Sequence, residues 1–103
     1  MNNVLVISKG TGQAKSFEIV MDDYTVKNNL PITCIYANDK EFVDIVKEKE
    51  IKVALITPEV MLVEAKVKAE LESNNIPYVI LKAADFGLKR TEKYMPEVEK
   101  YID

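Results

Sequence analysis

Apolar residues occur along the chain in two kinds of run. Val4-Leu5-Val6-Ile7 is unbroken, the pattern of a strand covered on both faces. Ala14, Phe17, Val20, Met21 and Tyr24 then recur at steps of three and four, which predicts a helix with one apolar stripe. The alternation continues. Residues 31–37, PITCIYA, are β-branched and aromatic behind a proline, a second strand suited to an edge. Asp39 is placed to cap a short helix whose inner face is Phe42, Ile45 and Val46. KVALITP (52–58) repeats the buried-strand run, and Pro58 stands where a helix can open without losing a hydrogen bond. Val60, Val63, Val67 and Leu71 would line that helix, which should stop near Asn74-Asn75.

PYVIL (77–81) predicts a fourth strand, and Tyr94, Met95, Val98 and Ile102 the buried face of a last helix. Pro96 suits that helix only close to its start, so residues 83–92 are expected to be irregular and to absorb the conflict. Four strand–helix repeats make this an α/β chain, a single three-layer αβα domain over residues 1–103 with a four-stranded parallel sheet. Right-handed crossovers favour the order 2-1-3-4. The order reverses between strands 1 and 3, which puts residues 8–16 and 57–59 on either side of the expected ligand crevice.

That crevice opens with Ser8-Lys9-Gly10-Thr11-Gly12-Gln13-Ala14-Lys15-Ser16. Two close glycines let successive N–H groups curl toward an anion, and the next helix adds its positive end. Lys9 and Lys15 supply charge. A plain strand-to-helix turn using glycine for economy has the same spelling, because a lone G-x-G is a weak signal. The loop lacks the Gly-Lys-Ser/Thr ending of a Walker A motif. Thr57 stands where a receiver domain would need an aspartate at the end of strand 3. A flavodoxin-like phosphate turn is closer, but the chain is short for a fifth strand and the aromatic loops that sandwich a flavin. Tyr36, near a strand end, reads as packed.

Composition narrows the chemistry. The chain has no histidine and one cysteine, which excludes His-based triads, phosphohistidine and the usual zinc ligand sets, so no metal and no cofactor are expected. Cys34 has no disulfide partner and falls mid-strand, where a thiol is usually inert core. A net charge of −3 argues against a nucleic-acid surface. No apolar run approaches the roughly 20 residues of a membrane span, and the first residues do not read as a signal peptide; a cytoplasmic location without membrane insertion is the expectation. Asp22-Asp23 and VKEKEIK (46–52) read as solvated faces. Lys89, Arg90 and Lys93, near the crevice edge, read as surface charge first and as contacts for a phosphorylated partner second.

Taken whole, the chain resembles enzyme IIB of the lactose/cellobiose class of the bacterial sugar phosphotransferase system. The resemblance rests on strand 1 with its glycine loop, on ALITPEV (54–60) and on NNIPYVILKAADFG (74–87). Leu55-Ile56-Thr57-Pro58 matches the family's L-x-x-P-Q-like turn, with Glu59 in place of glutamine. Ile76-Pro77 and Asp85-Phe86-Gly87 match its strand and acidic-aromatic-glycine turn. The resemblance implies a phosphocarrier in sugar uptake. It would take a phosphoryl group from a phosphohistidine on a IIA partner and pass it to sugar in the membrane component IIC. It also implies that the loop 9–16 holds the phosphoryl oxygens while Pro58, Glu59, Asp85, Phe86 and Gly87 flank the site.

The family's phosphorylated cysteine falls on Ser8 here, and the loop spacing is shifted. A serine hydroxyl is far less acidic than a thiol of pKa near 8.5 and needs a base, which a chain without histidine is poorly equipped to supply. Transfer incompetence is therefore expected. Either a small flavin- or phosphate-binding module or a regulatory interaction module is the alternative.

Overall fold

The structure, a computed structural model, describes residues 1–102. β1 (Asn2–Ile7) lies inside the sheet, pairing in parallel with β2 (Ile32–Ala37) on one side and β3 (Val53–Ile56) on the other. β4 (Tyr78–Ile80) pairs with β3. The order β2-β1-β3-β4 is the one expected. The strands with unbroken apolar runs are the two inner ones, and Val4 to Ile7 and Val53 to Ile56 are all at most 1% exposed. Pro31 and Pro77 precede the two edge strands, where a missing N–H costs no ladder bond.

Side-chain alternation along β1 feeds two cores. Val4 and Val6 face a cluster built on α1 (Gly12–Lys27) through Ala14, Phe17 and Met21, with Phe86, Tyr94, Met95 and Val98. Leu5 and Ile7 face a second cluster with Phe42, Val46, Val60, Val67 and Leu71. Helices thus cover both faces, as a parallel sheet requires.

Three local expectations are corrected. Asp39 does not cap the second helix. The Asn38 carboxamide oxygen accepts from Lys40 N–H (2.9 Å) and Glu41 N–H (2.7 Å), turning the chain ahead of α2 (Phe42–Glu48). The helix expected after Pro58 comes in two pieces: a 3₁₀ segment, Pro58–Val63, and then α3 (Glu64–Ser73), with Val60 non-helical at φ −103°. Its apolar face survives because Val60, Val67 and Leu71 all stay buried.

Residues 83–92 are not irregular throughout. Ala83–Gly87 form a short helix, α4, followed by Lys89 at φ +54° and then α5 (Thr91–Glu99). Pro96 accordingly sits in the second turn of α5, where an N–H to bond the preceding turn is missing. Tyr94, Met95 and Val98 are buried as expected, while Ile102, beyond the helix, packs on the same cluster.

Candidate functional site

The crevice is assembled at the carboxyl ends of β1 and β3, and the two ends are tied together. Thr57 is buried, and both its N–H (3.2 Å) and its hydroxyl (2.8 Å) donate to the Ile7 carbonyl. On the other side Ser8 N–H donates to the Ala37 carbonyl at the end of β2 (3.0 Å). Ser8 is therefore fixed by its backbone and 95% buried, its residual exposure being 5%. Its Oγ accepts from Gly10 N–H at 3.2 Å, so the first N–H of the glycine turn points back at the hydroxyl. Gly10 has φ +71° with open space around an added Cβ. The conformation, not crowding, is what asks for glycine there.

The loop then enters α1. Thr11 is its N-cap: the Oγ1 accepts from Ala14 N–H at 3.2 Å, and the Thr11 carbonyl accepts from Lys15 N–H at 2.9 Å. The same Thr11 hydroxyl donates to Glu59 Oε2, and Lys9 N–H donates to Glu59 Oε1 at 2.9 Å. One carboxylate, from the first turn after β3, thus occupies the mouth of the loop and uses both its oxygens.

Each expected loop residue can now be placed. The Lys9 contribution is its amide. Its ammonium turns away to Asp39 at 2.9 Å, and that contact holds the Asp39 carboxyl below the usual aspartate range. Lys15 lies on the exposed side of α1, where its charge acts on Glu18 one turn along. Glu18 is raised nonetheless, first by burial and then by Asp22. The Ala14 side chain is core, 2% exposed. Ser16 is on the exposed helix surface. Gly12 and Gln13 open α1, and Gln13 lies over α4, its Nε2 only 3.2 Å from where a Gly87 Cβ would stand.

Among the flanking residues, Pro58, Glu59 and Phe86 line one shallow cavity of about 290 Å³ with Gln13 and Ala83. Asp85 borders a different cavity, with Lys93 and Tyr94, and its carbonyl accepts from Arg90 N–H. The acidic member of the Asp85-Phe86-Gly87 turn thus lines no part of the cavity beside the loop, whereas Phe86 is core, 5.0 Å from Phe17 between ring centroids. A larger groove of about 660 Å³ runs between α2 and α3, and of the crevice residues only Asp39, the Lys9 partner, borders it.

The other sequence candidates resolve as follows. Cys34, on edge strand β2, is half-buried. Burial pushes its thiol up to about 11, which leaves it a poor nucleophile. Tyr36 is half-buried beside it, its hydroxyl 2.7 Å from Asp22 Oδ1; desolvation first, then Asp22, raise the phenol well above its ordinary value. Asp22 and Asp23 are both exposed, as expected of a solvated face; Asp22 in addition accepts from the Tyr36 hydroxyl, and Asp23 pairs with Lys27 in an exposed i,i+4 bridge. No group of three or more potential metal ligands occurs among the described residues. No helix among them is long and apolar enough to cross a membrane.

Comparisons with known proteins agree with this architecture. No family model matches the sequence and no curated protein matches it closely enough to count. The fold, however, is similar to the solved lactose-specific IIB component domain of the phosphoenolpyruvate:carbohydrate phosphotransferase system from Streptococcus pneumoniae. The TM-score is 0.77 over 99% of this chain and 98% of that one, at 15% identity. At that identity the likeness is one of fold.

Proposed function

We propose that this chain is a IIB-type protein of the sugar phosphotransferase system, of the lactose/cellobiose class, that docks IIA- and IIC-like partners without relaying phosphate. The observation that carries the reading is Ser8, buried at the end of β1 with Gly10 N–H directed at its Oγ. A phosphocarrier of this fold would hold its nucleophile there, with main-chain donors converging on it. The full-length fold likeness to a lactose-specific IIB domain supports the same assignment. Met61 and Leu62, on the segment that also supplies Glu59, and Leu88, next to Gly87, are exposed and give apolar area for a partner to cover.

Transfer fails on chemistry. In a carrier of this class a cysteine thiolate attacks the phosphorus of a phosphohistidine. An S–P bond forms, the N–P bond breaks, and the imidazole nitrogen leaves. Ser8 offers a neutral hydroxyl, and the carboxylate at the mouth of the loop, Glu59, is already bonded to Lys9 and Thr11. Cys34, on the edge strand and held as a thiol, offers no replacement. A flavin-binding reading finds less support, because Phe17, Phe86 and Tyr94 are buried and Tyr36 is bonded to α1.

The test uses a lactose-type IIA protein phosphorylated on histidine. It is incubated with the chain, with Ser8→Cys and with Ser8→Cys/Glu59→Ala, the last freeing the loop donors that Glu59 holds, and the intact mass of each is read. The expected result is an added phosphoryl group on the cysteine-bearing Glu59→Ala variant and none on the unmodified chain. Phosphorylation of the unmodified chain would overturn the incompetence, and a failure of all three to gain mass would overturn the IIB docking assignment.

A further inference from the structure

The reading of residues 8–16 as an oxyanion loop leaves Glu59 to be explained. A carboxylate is the last group expected at the mouth of a loop meant for phosphate, since two like charges close together repel. It is not there by side-chain drift. Thr57 is pinned to the Ile7 carbonyl through two hydrogen bonds, and Pro58 fixes the next φ. Glu59 follows as the second residue of the 3₁₀ segment, facing the Lys9–Thr11 turn. Both carboxylate oxygens have donors, and these are groups that a bound oxyanion would use: a main-chain N–H of the glycine turn and the hydroxyl that caps α1.

The surrounding charges fit the same picture. The Lys9 ammonium, the positive side chain nearest in sequence to the loop's turn, is engaged with Asp39 on the far side. Gly10 N–H is taken by Ser8 Oγ and Ala14 N–H by Thr11 Oγ1. The Lys9, Gly10 and Ala14 N–H groups and the Thr11 hydroxyl are therefore already bonded within the chain, with an internal anion where an external one would sit.

We propose that Glu59 is an autoinhibitory plug: its carboxylate occupies the oxyanion loop and keeps phosphate out of it. The contact deepens the reading of this loop but does not depend on any partner protein. Inorganic phosphate is therefore a sufficient probe, and the outcome is separate from that of the mass experiment on Ser8→Cys. Replacing Glu59 by alanine removes both the charge and the competing acceptor, while Glu59→Gln keeps the size and one acceptor oxygen without the charge.

The experiment is a phosphate titration of the unmodified chain, Glu59→Ala and Glu59→Gln at constant ionic strength. Backbone amide NMR shifts of Lys9, Gly10, Thr11, Gly12 and Gln13 are followed, and amides outside the loop report that each variant is folded. Saturable shifts confined to these residues are expected in Glu59→Ala, with affinity at least tenfold above that of the unmodified chain and Glu59→Gln between the two. Equal affinity in all three proteins would overturn the plug. Absence of saturable shifts in a folded Glu59→Ala would overturn it as well, by showing that the emptied loop takes no oxyanion.

Discussion

Thr11 holds two jobs in one hydroxyl, and removing it separates them. As N-cap it accepts from Ala14 N–H at 3.2 Å, and as donor it meets the Glu59 carboxylate. Loss of a threonine cap costs about 1 kcal/mol. A hydrogen bond to a charged group contributes about 1.5–3 kcal/mol when buried, and about 1 kcal/mol is appropriate for a half-buried carboxylate beside an exposed threonine. Thr11→Ala should therefore lose about 2 kcal/mol, from a total near 5–15 kcal/mol for a domain of this size. At a urea slope near 2 kcal/mol/M the midpoint falls by about 1 M.

Thr11→Ser keeps both oxygen contacts and should stay within about 0.5 kcal/mol of the original. In a Glu59→Ala background the cap is all that remains to be lost, so Thr11→Ala there should cost only about 1 kcal/mol. The double-mutant cycle thus has an expected coupling of about 1 kcal/mol. Urea unfolding of the four proteins at one pH and salt concentration measures it. A coupling below about 0.3 kcal/mol would refute the reasoning, because Thr11 and Glu59 would then contribute independently and the carboxylate would not be held by the cap.

Two further outcomes follow from other parts of the molecule. Phe17→Ala empties the centre of an aromatic group in which Phe17 lies 5.0 Å from Phe86 and 5.5 Å from Tyr94. It should cost about 3–5 kcal/mol in urea unfolding against about 1.5 for Phe17→Leu, and a loss under about 2 kcal/mol would show that the site collapses around the gap. Cys34, with its thiol at about 11, should react with a thiol-specific disulfide reagent at pH 8 roughly a hundredfold more slowly than a free cysteine. Because the folded pKa is the higher one, the unfolded chain releases this proton first. The Cys34 contribution to stability is full below the unfolded value of about 8.5 and is lost as pH rises to about 11; Cys34→Ala should lack the part of this decline that falls between about pH 8.5 and 10, below the range in which Tyr36 and Tyr94, both raised in the fold, add a decline of their own.

What could be read from the sequence was what repeats or alternates. The inner strands announce themselves because burial on both faces forbids polar residues over four positions, and the leading prolines mark the two edges. The position of the crevice, at the carboxyl ends of β1 and β3, followed from the strand order. What stayed hidden depended on contacts between distant residues or on single-residue geometry. Nothing near Lys9 tells that its ammonium will meet Asp39 thirty positions on. Asn38 and Asp39 are equally good capping types, and only the turn geometry chooses Asn38. The helix after Pro58 keeps its apolar spacing across the break at Val60 because side-chain burial, not hydrogen bonding, sets that spacing. Residues 83–87 are too short for periodicity to show. Glu59 was visible as an oddity beside the loop, but that both its oxygens would be bound there required the fold.

The strand order also has a consequence for how the chain is made. β1 comes first in synthesis yet ends between β2 and β3, with Val4 opposite Val53 and Ile7 opposite Ile56. β1, α1 and β2 can associate as soon as residue 37 is free of the ribosome, but the other edge of β1 then exposes unpaired main-chain groups and apolar side chains. That edge stays open while the polar segment around α2 emerges, and it is the kind of surface on which nascent chains aggregate. The arrival of β3 both closes it and delivers Thr57 and Glu59 to the loop. For this fold the most vulnerable interval of synthesis ends at the same step that completes the site.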